Sequence, residues 1–259
     1  MNNSAIGVYD SGFGGLSVWG ELYRALPDES LTYLGDGKNC PYGGRTREQI
    51  TGFAREAVRR LVDEGCKMIV VACNTATAAA VDTLRREWPQ LPVVGLEPAI
   101  KPACMESVTR KVGVLATAHS LQGDMFHRTA ARYASDVEVY TAVGEGFVEL
   151  VEAGAEHTPQ AEEAVRRVVE PLLERGVDRI VLGCTHYPFL RPLIELTAAG
   201  RGVGIIDSGE AVARRVGYLL DELSLRAEAG HKAEYRFLTF ADESYRMRLQ
   251  RKAFACAGR

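Results

Sequence analysis

The sequence predicts an α/β protein of two pseudo-symmetric domains, each with a mostly parallel central sheet flanked by helices, and an active site in the cleft between them. Two observations carry this expectation. Short apolar runs alternate with amphipathic segments along the whole chain, the pattern of strands joined by crossover helices. A long segment of the first half also recurs in the second, in one register, and each copy ends on a cysteine.

Strands are expected at Ala5–Tyr9, Leu31–Leu34, Met68–Ala72, Val93–Leu96, Val112–Ala116, Val137–Thr141, Arg179–Gly183 and Val203–Ile206, with a late one at Glu234–Phe240. The helix before Cys73 has Ile50, Phe53, Ala54, Ala57, Val58, Leu61 and Val62 on one apolar face. Thr46 and Gln49 have the spacing of a capping box, and Gly65 is placed to stop the helix. An offset of 111 residues turns that face into Ala161, Ala164, Val165, Val168, Val169, Leu172 and Leu173. The same offset takes Gly65 to Gly176 and Cys73 to Cys184, and lays MIVVACNT over RIVLGCTH. Upstream, AIGVYDSG matches KVGVLATA at an offset of 106. Pro171 interrupts the second helix, where it should remove a backbone bond and bend the axis. Ligands in such sheets bind beyond the carboxyl ends of the strands, which is where both cysteines fall.

Composition narrows the function classes. The 259 residues are 46% hydrophobic and 25% charged, with a net charge of −3 and the two signs interspersed. No clustered basic stripe marks a nucleic-acid surface. The opening MNNSAIGVYDSG has neither basic nor apolar character of a signal peptide, and no apolar run approaches the roughly 18 residues of a membrane helix. The six cysteines include no CxxC pair and are expected to be free thiols of a cytoplasmic protein.

Cys73 ends an apolar strand and precedes Asn74-Thr75 and an alanine-rich helix. A thiol at such a turn meets amides and the positive end of a helix dipole, both of which favour the thiolate. Cys184 is expected at the same kind of turn, ahead of Thr185 and His186, and the histidine is close enough in sequence to poise it. Two equivalent thiols suit proton transfer at a stereocentre, one abstracting and the other returning a proton on the opposite face. Asp10 and Ser11 close the first strand in YDSGFGGLS, whose glycines let backbone approach a ligand. The run is not the dinucleotide fingerprint, since Ser17 replaces its last glycine, and phosphate-loop and kinase signatures are absent. Cys73, Cys184 and His186 are possible zinc ligands in principle, but closely spaced ligand pairs are missing, so no metal is expected.

Taken together, DSGFGGLSV, PYGGRT at 41–46, ACNTAT at 72–77, LGCTHYP at 182–188 and IIDSG at 205–209 resemble the glutamate racemase family over essentially the whole chain. The resemblance implies an enzyme without pyridoxal phosphate, metal or nucleotide that interconverts L- and D-glutamate and supplies D-glutamate for peptidoglycan. It implies proton-transfer roles for Cys73 and Cys184, and substrate contacts at Asp10, Ser11, Tyr42, Gly43, Asn74, Thr75, Thr117, Thr185 and His186. Asp10, His186 and Glu152 would assist catalysis, with Glu152, in the looser motif VELVEAG, an auxiliary acid near Cys184. It further implies one domain from residues 1–97 and 208–259 and another from 98–207. The expected assembly is a homodimer without nucleic-acid or membrane partners. An aspartate racemase with the same cysteine pair, and a non-catalytic anion- or nucleotide-binding module, are the alternative readings.

Overall fold

Apolar patterning in this chain produces strands buried on both faces, and such strands need helices on each side. The structure, a computed structural model, describes residues 1–258, without the side chain of Asp124. Arg259, the last residue of the expected first domain, lies outside the described residues. The chain forms two compact units, one from Met1–Leu96 with the segment from Gly209 onward, the other from Glu97–Ser208. No helix among the described residues is long and apolar enough to cross a membrane.

The first unit contains β1 (Ile6–Asp10), β2 (Leu31–Gly35), β3 (Met68–Val71) and β4 (Val93–Gly95). The second contains β5 (Lys111–Ala116), β6 (Glu138–Val143), β7 (Arg179–Leu182) and β8 (Gly204–Ile206), and β9 (Tyr235–Thr239) returns to the first. Each overlaps a strand expected from the sequence, with ends displaced by a residue or two, and every pairing is parallel.

The strand order is β4-β3-β1-β2-β9 in the first sheet and β8-β7-β5-β6 in the second. These are the same order, with β9 added at one edge. Pairing repeats residue by residue. Ile6 lies opposite Met68 and Gly7 opposite Ile69, while Val112 lies opposite Arg179 and Gly113 opposite Ile180. Those partners are related by the two offsets read from the sequence.

The repeated helices span Arg47–Asp63 and Pro159–Glu174. Thr46 and Gln49 form the expected capping box, and Gly65 and Gly176 adopt φ of 78° and 76°, the left-handed geometry that ends a helix. Ile50, Ala54, Val58 and Leu61 are buried, as are their counterparts Ala161, Val165, Val169 and Leu172. The second helix runs on through Pro171 to Glu174. Pro171 is exposed and only a turn from the end, so its missing N–H leaves one carbonyl to solvent rather than breaking the helix.

In the second unit, residues alternate along the strands between two cores. Leu115, Ile180 and Leu182 join the Pro159–Glu174 helix on one face, and Val112, Val114 and Val181 meet the Ile100–Glu106 helix and Phe126 on the other. In the first unit, Trp19 packs its ring against Phe237 of β9 at 5.6 Å and Phe254 of the Glu243–Cys256 helix at 5.9 Å. That aromatic cluster fastens the C-terminal segment to the sheet.

The two copies differ in what anchors the strand before each cysteine. Lys67 forms a buried ion pair with Glu29 at 2.6 Å and also donates to the Asn2 carbonyl. Its counterpart Asp178 accepts from Ser107 Oγ at 2.6 Å and from the amides of Val108 at 2.6 Å and Thr109 at 3.1 Å. Burial pushes the Asp178 carboxyl up, but these hydrogen bonds together hold it below the usual carboxylate range.

Two outcomes follow from these anchors. Lys67→Met strands Glu29 in the interior and should cost about 3–5 kcal/mol, read from urea unfolding. Adding Glu29→Leu should recover part of that loss, and a single-mutant cost below about 1 kcal/mol would contradict the buried pair. Because folding lowers the Asp178 pKa, its contribution is present above the unfolded carboxylate range and is lost as pH falls through the folded value. The stability gap between wild type and Asp178→Asn should therefore narrow on acidification, and a pH-independent gap would refute the assignment.

Candidate active site

In each sheet the chain turns to one side of a central strand and then to the other. From β1 it goes to β2 on one side and to β3 on the other, and β5, β6 and β7 repeat the pattern. Such a reversal leaves a crevice at the carboxyl ends of the two central strands, where open α/β sheets bind ligands. Cys73 leaves β3 beside the end of β1, and Cys184 leaves β7 beside the end of β5.

Cys73 is the N-cap of the helix Asn74–Glu87, a position Ser, Thr, Asp or Asn usually fills. Its Sγ accepts from the Ala76 N–H at 3.4 Å and donates to Ser11 Oγ at 3.6 Å. An amide donor and a helix amino terminus both favour negative charge on that sulfur. Asn74 and Thr75 form the first turn and are buried. Asp10 is fully buried at the end of β1, where its Oδ1 accepts from the Gly12 N–H at 2.8 Å.

The glycines of this turn have an internal reason to be there. A Cβ on Gly15 would stand 2.5 Å from Asp10 Cβ and 3.0 Å from the Ala72 carbonyl oxygen. The close approach expected to serve a ligand is thus also an approach of the turn to its own sheet.

Tyr42 and Gly43 lie on the loop after β2, with Tyr42 buried and Gly43 exposed. The Tyr42 hydroxyl donates to Asp36 Oδ2 at 2.6 Å and stands 2.6 Å from the Tyr9 hydroxyl. Burial, with Tyr9 and Asp36 alongside, pushes the Tyr42 phenol far above its usual range, so it is a neutral donor. Its single proton is committed to Asp36. A substrate meeting this loop would therefore meet its backbone rather than that O–H.

In the second unit Thr117 ends β5 and caps the short helix Ala118–Gln122, accepting from the Ser120 N–H at 3.2 Å. Thr185 and His186 are buried beside Cys184. His186 Nδ1 faces Cys184 Sγ at 3.8 Å, and its Nε2 meets Glu152 Oε1 at 2.7 Å. The imidazole thus stands between Glu152 and Cys184. It sits on the helix Phe147–Ala153, bounded by Gly146 and Gly154 at φ of 79° and 72°. Phe147 on that helix packs edge-on against Tyr187 at 5.1 Å, which fixes Glu152 relative to the residues after Cys184.

The turn after Cys184 departs from expectation. Cys73 caps an α-helix, whereas Cys184 leads into a 3₁₀ turn, Tyr187–Leu190, before the helix Arg191–Thr197. Pro188 and Pro192 explain it, since a continuous helix after Cys184 would need their missing amides to donate to the carbonyls of Cys184 and Pro188. Cys184 has a histidine and, behind it, a carboxylate, where Cys73 has a helix amino terminus. Asp36, Tyr9 and Tyr187 were not read as site residues, although Tyr9 opens YDSGFGGLS, Tyr187 lies in LGCTHYP and an Asp-Gly step marks Asp36.

A family model described as Asp/Glu/Hydantoin racemase matches residues 20–216. A glutamate racemase of Herpetosiphon aurantiacus is 45% identical over 245 residues, covering 95% of this chain and 96% of that protein. The glutamate racemase of Escherichia coli, solved in complex with L-glutamate, superposes with a TM-score of 0.86 at 31% identity, over 98% of this chain and 95% of that one. The Francisella tularensis glutamate racemase, solved in complex with D-glutamate, gives 0.85 at 27% identity, over 100% and 95%. With a family match across most of its length and relatives this similar end to end, the chain belongs to the glutamate racemases of the Asp/Glu/hydantoin racemase family.

Proposed function

We propose that this protein interconverts L- and D-glutamate by moving the α-proton between Cys73 and Cys184. The observation that carries the reading is the residue-by-residue equivalence of the two sheets, each with a cysteine leaving the equivalent strand at its own switch point. The relatives solved with L-glutamate and with D-glutamate support the substrate.

In the proposed step a thiolate takes the α-hydrogen, so a C–H bond breaks and an S–H bond forms. The electron pair passes into the α-carboxylate as an enolate-like intermediate. The other thiol then delivers its proton to the opposite face and becomes the thiolate. Cys73 is the base toward D-glutamate and Cys184 the base toward L-glutamate. Asp10 and Ser11 support Cys73. His186, oriented by Glu152, supports Cys184. Asn74 and Thr75 bind near the α-carboxylate, while Thr185 and the Tyr42-Gly43 segment supply donors to the γ-carboxylate and Thr117 adds a contact. The reading invokes no cofactor. It places the protein in the cytoplasm as a homodimer that supplies D-glutamate for peptidoglycan.

A site that hydrogen-bonds the distal carboxylate at one reach should discriminate against a side chain one methylene shorter by roughly 10–200-fold. A chiral assay should show glutamate interconverted from either enantiomer and aspartate turned over correspondingly poorly. Equal turnover of aspartate would overturn the glutamate assignment.

Enantiomers are isoenergetic in water, so no variant can change kcat/KM in one direction alone, and the roles of the thiols must be read from isotope exchange. Cys73→Ala and Cys184→Ala should each lower racemisation by about 10²–10⁴-fold or more. In D₂O, Cys184→Ala should retain exchange at Cα of D-glutamate and Cys73→Ala that of L-glutamate. A single-cysteine variant that racemises at near wild-type rate would refute the two-base reading.

A further inference from the structure

We propose that Asp36 is a positioning residue: acting through Tyr42, it holds the Tyr42-Gly43 segment where that segment receives a carboxylate of the substrate. The inference rests on the reading above, in which that segment binds the γ-carboxylate, and assigns its geometry to a residue the proposed chemistry does not use.

Asp36 is a strong anchor of the loop after β2. Asp36 is fully buried, and its own N–H donates to the Asp10 carbonyl at 2.9 Å, which ties it to the end of β1. Its carbonyl accepts from the Cys40 N–H at 3.2 Å. Its carboxylate accepts from the Asn39 side chain at 3.0 and 2.9 Å and from the Tyr42 hydroxyl at 2.6 Å. The carboxylate therefore grips the loop at two points, three and six residues further on.

The hydrogen-bond directions are fixed. A carboxylate only accepts, so the Tyr42 proton points to Asp36, and the 2.6 Å contact between the two phenols must then use the proton of Tyr9. Burial first, and then the charge of Cys73, push the Tyr9 phenol up as well, which keeps that proton in place. The chain runs Tyr9 to Tyr42 to Asp36, with no alternative arrangement open to it.

Beyond Tyr42 little else holds the loop. The Tyr42 ring lies 5.5 Å from Phe53, and its carbonyl accepts from the Arg45 N–H at 3.0 Å. Gly43 and Gly44 are exposed, and a Cβ on either would meet nothing within 4 Å. The tip follows directly on Tyr42, whose hydroxyl is bonded to the one charged group it meets among the described residues, Asp36.

If the segment binds substrate equally in ground and transition states, loosening it should raise KM and largely spare kcat. The test compares wild type, Asp36→Asn, Tyr42→Phe and the double variant in a chiral glutamate assay, with thermal unfolding of each as a control. KM for glutamate should rise about tenfold in each single variant, with kcat within about threefold of wild type, and the double should be no worse than the weaker single. Tyr42→Phe deletes one oxygen and keeps the ring, so it decides the question if Asp36→Asn does not fold. Unchanged KM in a folded Tyr42→Phe, or a loss of stability without the KM shift, would overturn the role of Asp36. A fall in kcat at constant KM would overturn it too. Wild type failing to turn over glutamate would instead sink the reading on which the inference rests, so the two failures are distinct.

Discussion

Parallel pairing of β1 with β3, and of β5 with β7, is the constraint on which the proposed chemistry depends. A parallel strand ends on the same edge of the sheet as its neighbour, so whatever follows the two strands is brought together without any loop having to reach for it. Ser11 and Cys73 are 62 positions apart and meet across that edge at 3.6 Å. The crossover helices carry out the placement. Arg47–Asp63 and Pro159–Glu174 each return the chain to start the next strand in register, and Ile50, Ala54, Val58 and Leu61 of the first are buried where Ala161, Val165, Val169 and Leu172 are in the second. A slip of one residue in β3 or β7 would exchange which core each side chain of that strand enters, so the packing that stabilises each unit also fixes the reach of each cysteine.

Equivalent backbones carry different side-chain support. Cys73 has an amide from its own helix and the Ser11 hydroxyl, whereas Cys184 has an imidazole oriented by a carboxylate. Enantiomers need not be handled by identical groups, because a protein of L-residues is never the mirror image of itself. What matching halves supply is a thiol after each of two equivalent strands, which the proposed two-base chemistry requires. The supports can then differ, as do the anchors one strand-length upstream, where Lys67 pairs with Glu29 and its counterpart Asp178 gathers a hydroxyl and two amides.

Much of this was legible in the sequence because it is local or periodic. Helical faces, the Thr46 cap, the stop glycines and the alternating strands each depend on residues a few positions apart, and the repeat gave their correspondence. The turn after Cys184 was misread as helical because the repeat was extended past the point where Pro188 and Pro192 end the likeness. The Tyr9–Tyr42–Asp36 chain was invisible for another reason. Its members come from two strand ends and a loop, and only the pairing of β1 with β2 brings them together. Buried polar networks of this kind leave no period behind. Their signal is a set of side chains that would be costly in the interior unless each had found another.

The contrast between Cys66 and Cys73 shows how far position, rather than residue type, decides chemistry. The two flank β3, one at its amino end and the other at its carboxyl end. Cys66 follows the carboxyl terminus of the Arg47–Asp63 helix, and its N–H donates to the Leu61 carbonyl. Burial pushes its thiol up to about 11, against an opposing hydrogen bond with Thr32, and the nearby Glu64 charge adds to the rise. Negative helix ends gather on that edge of the sheet, and they too oppose a thiolate. At the opposite edge the helices begin, and Cys73 caps one of them with an amide pointing at its sulfur. Four residues of strand separate a thiol that burial holds protonated from one that a helix amino terminus faces. In a parallel sheet each crossover helix begins just past the strand it follows, so helix amino termini lie on the carboxyl edge. The fold therefore decides which cysteine meets a helix amino terminus before any neighbouring side chain is considered.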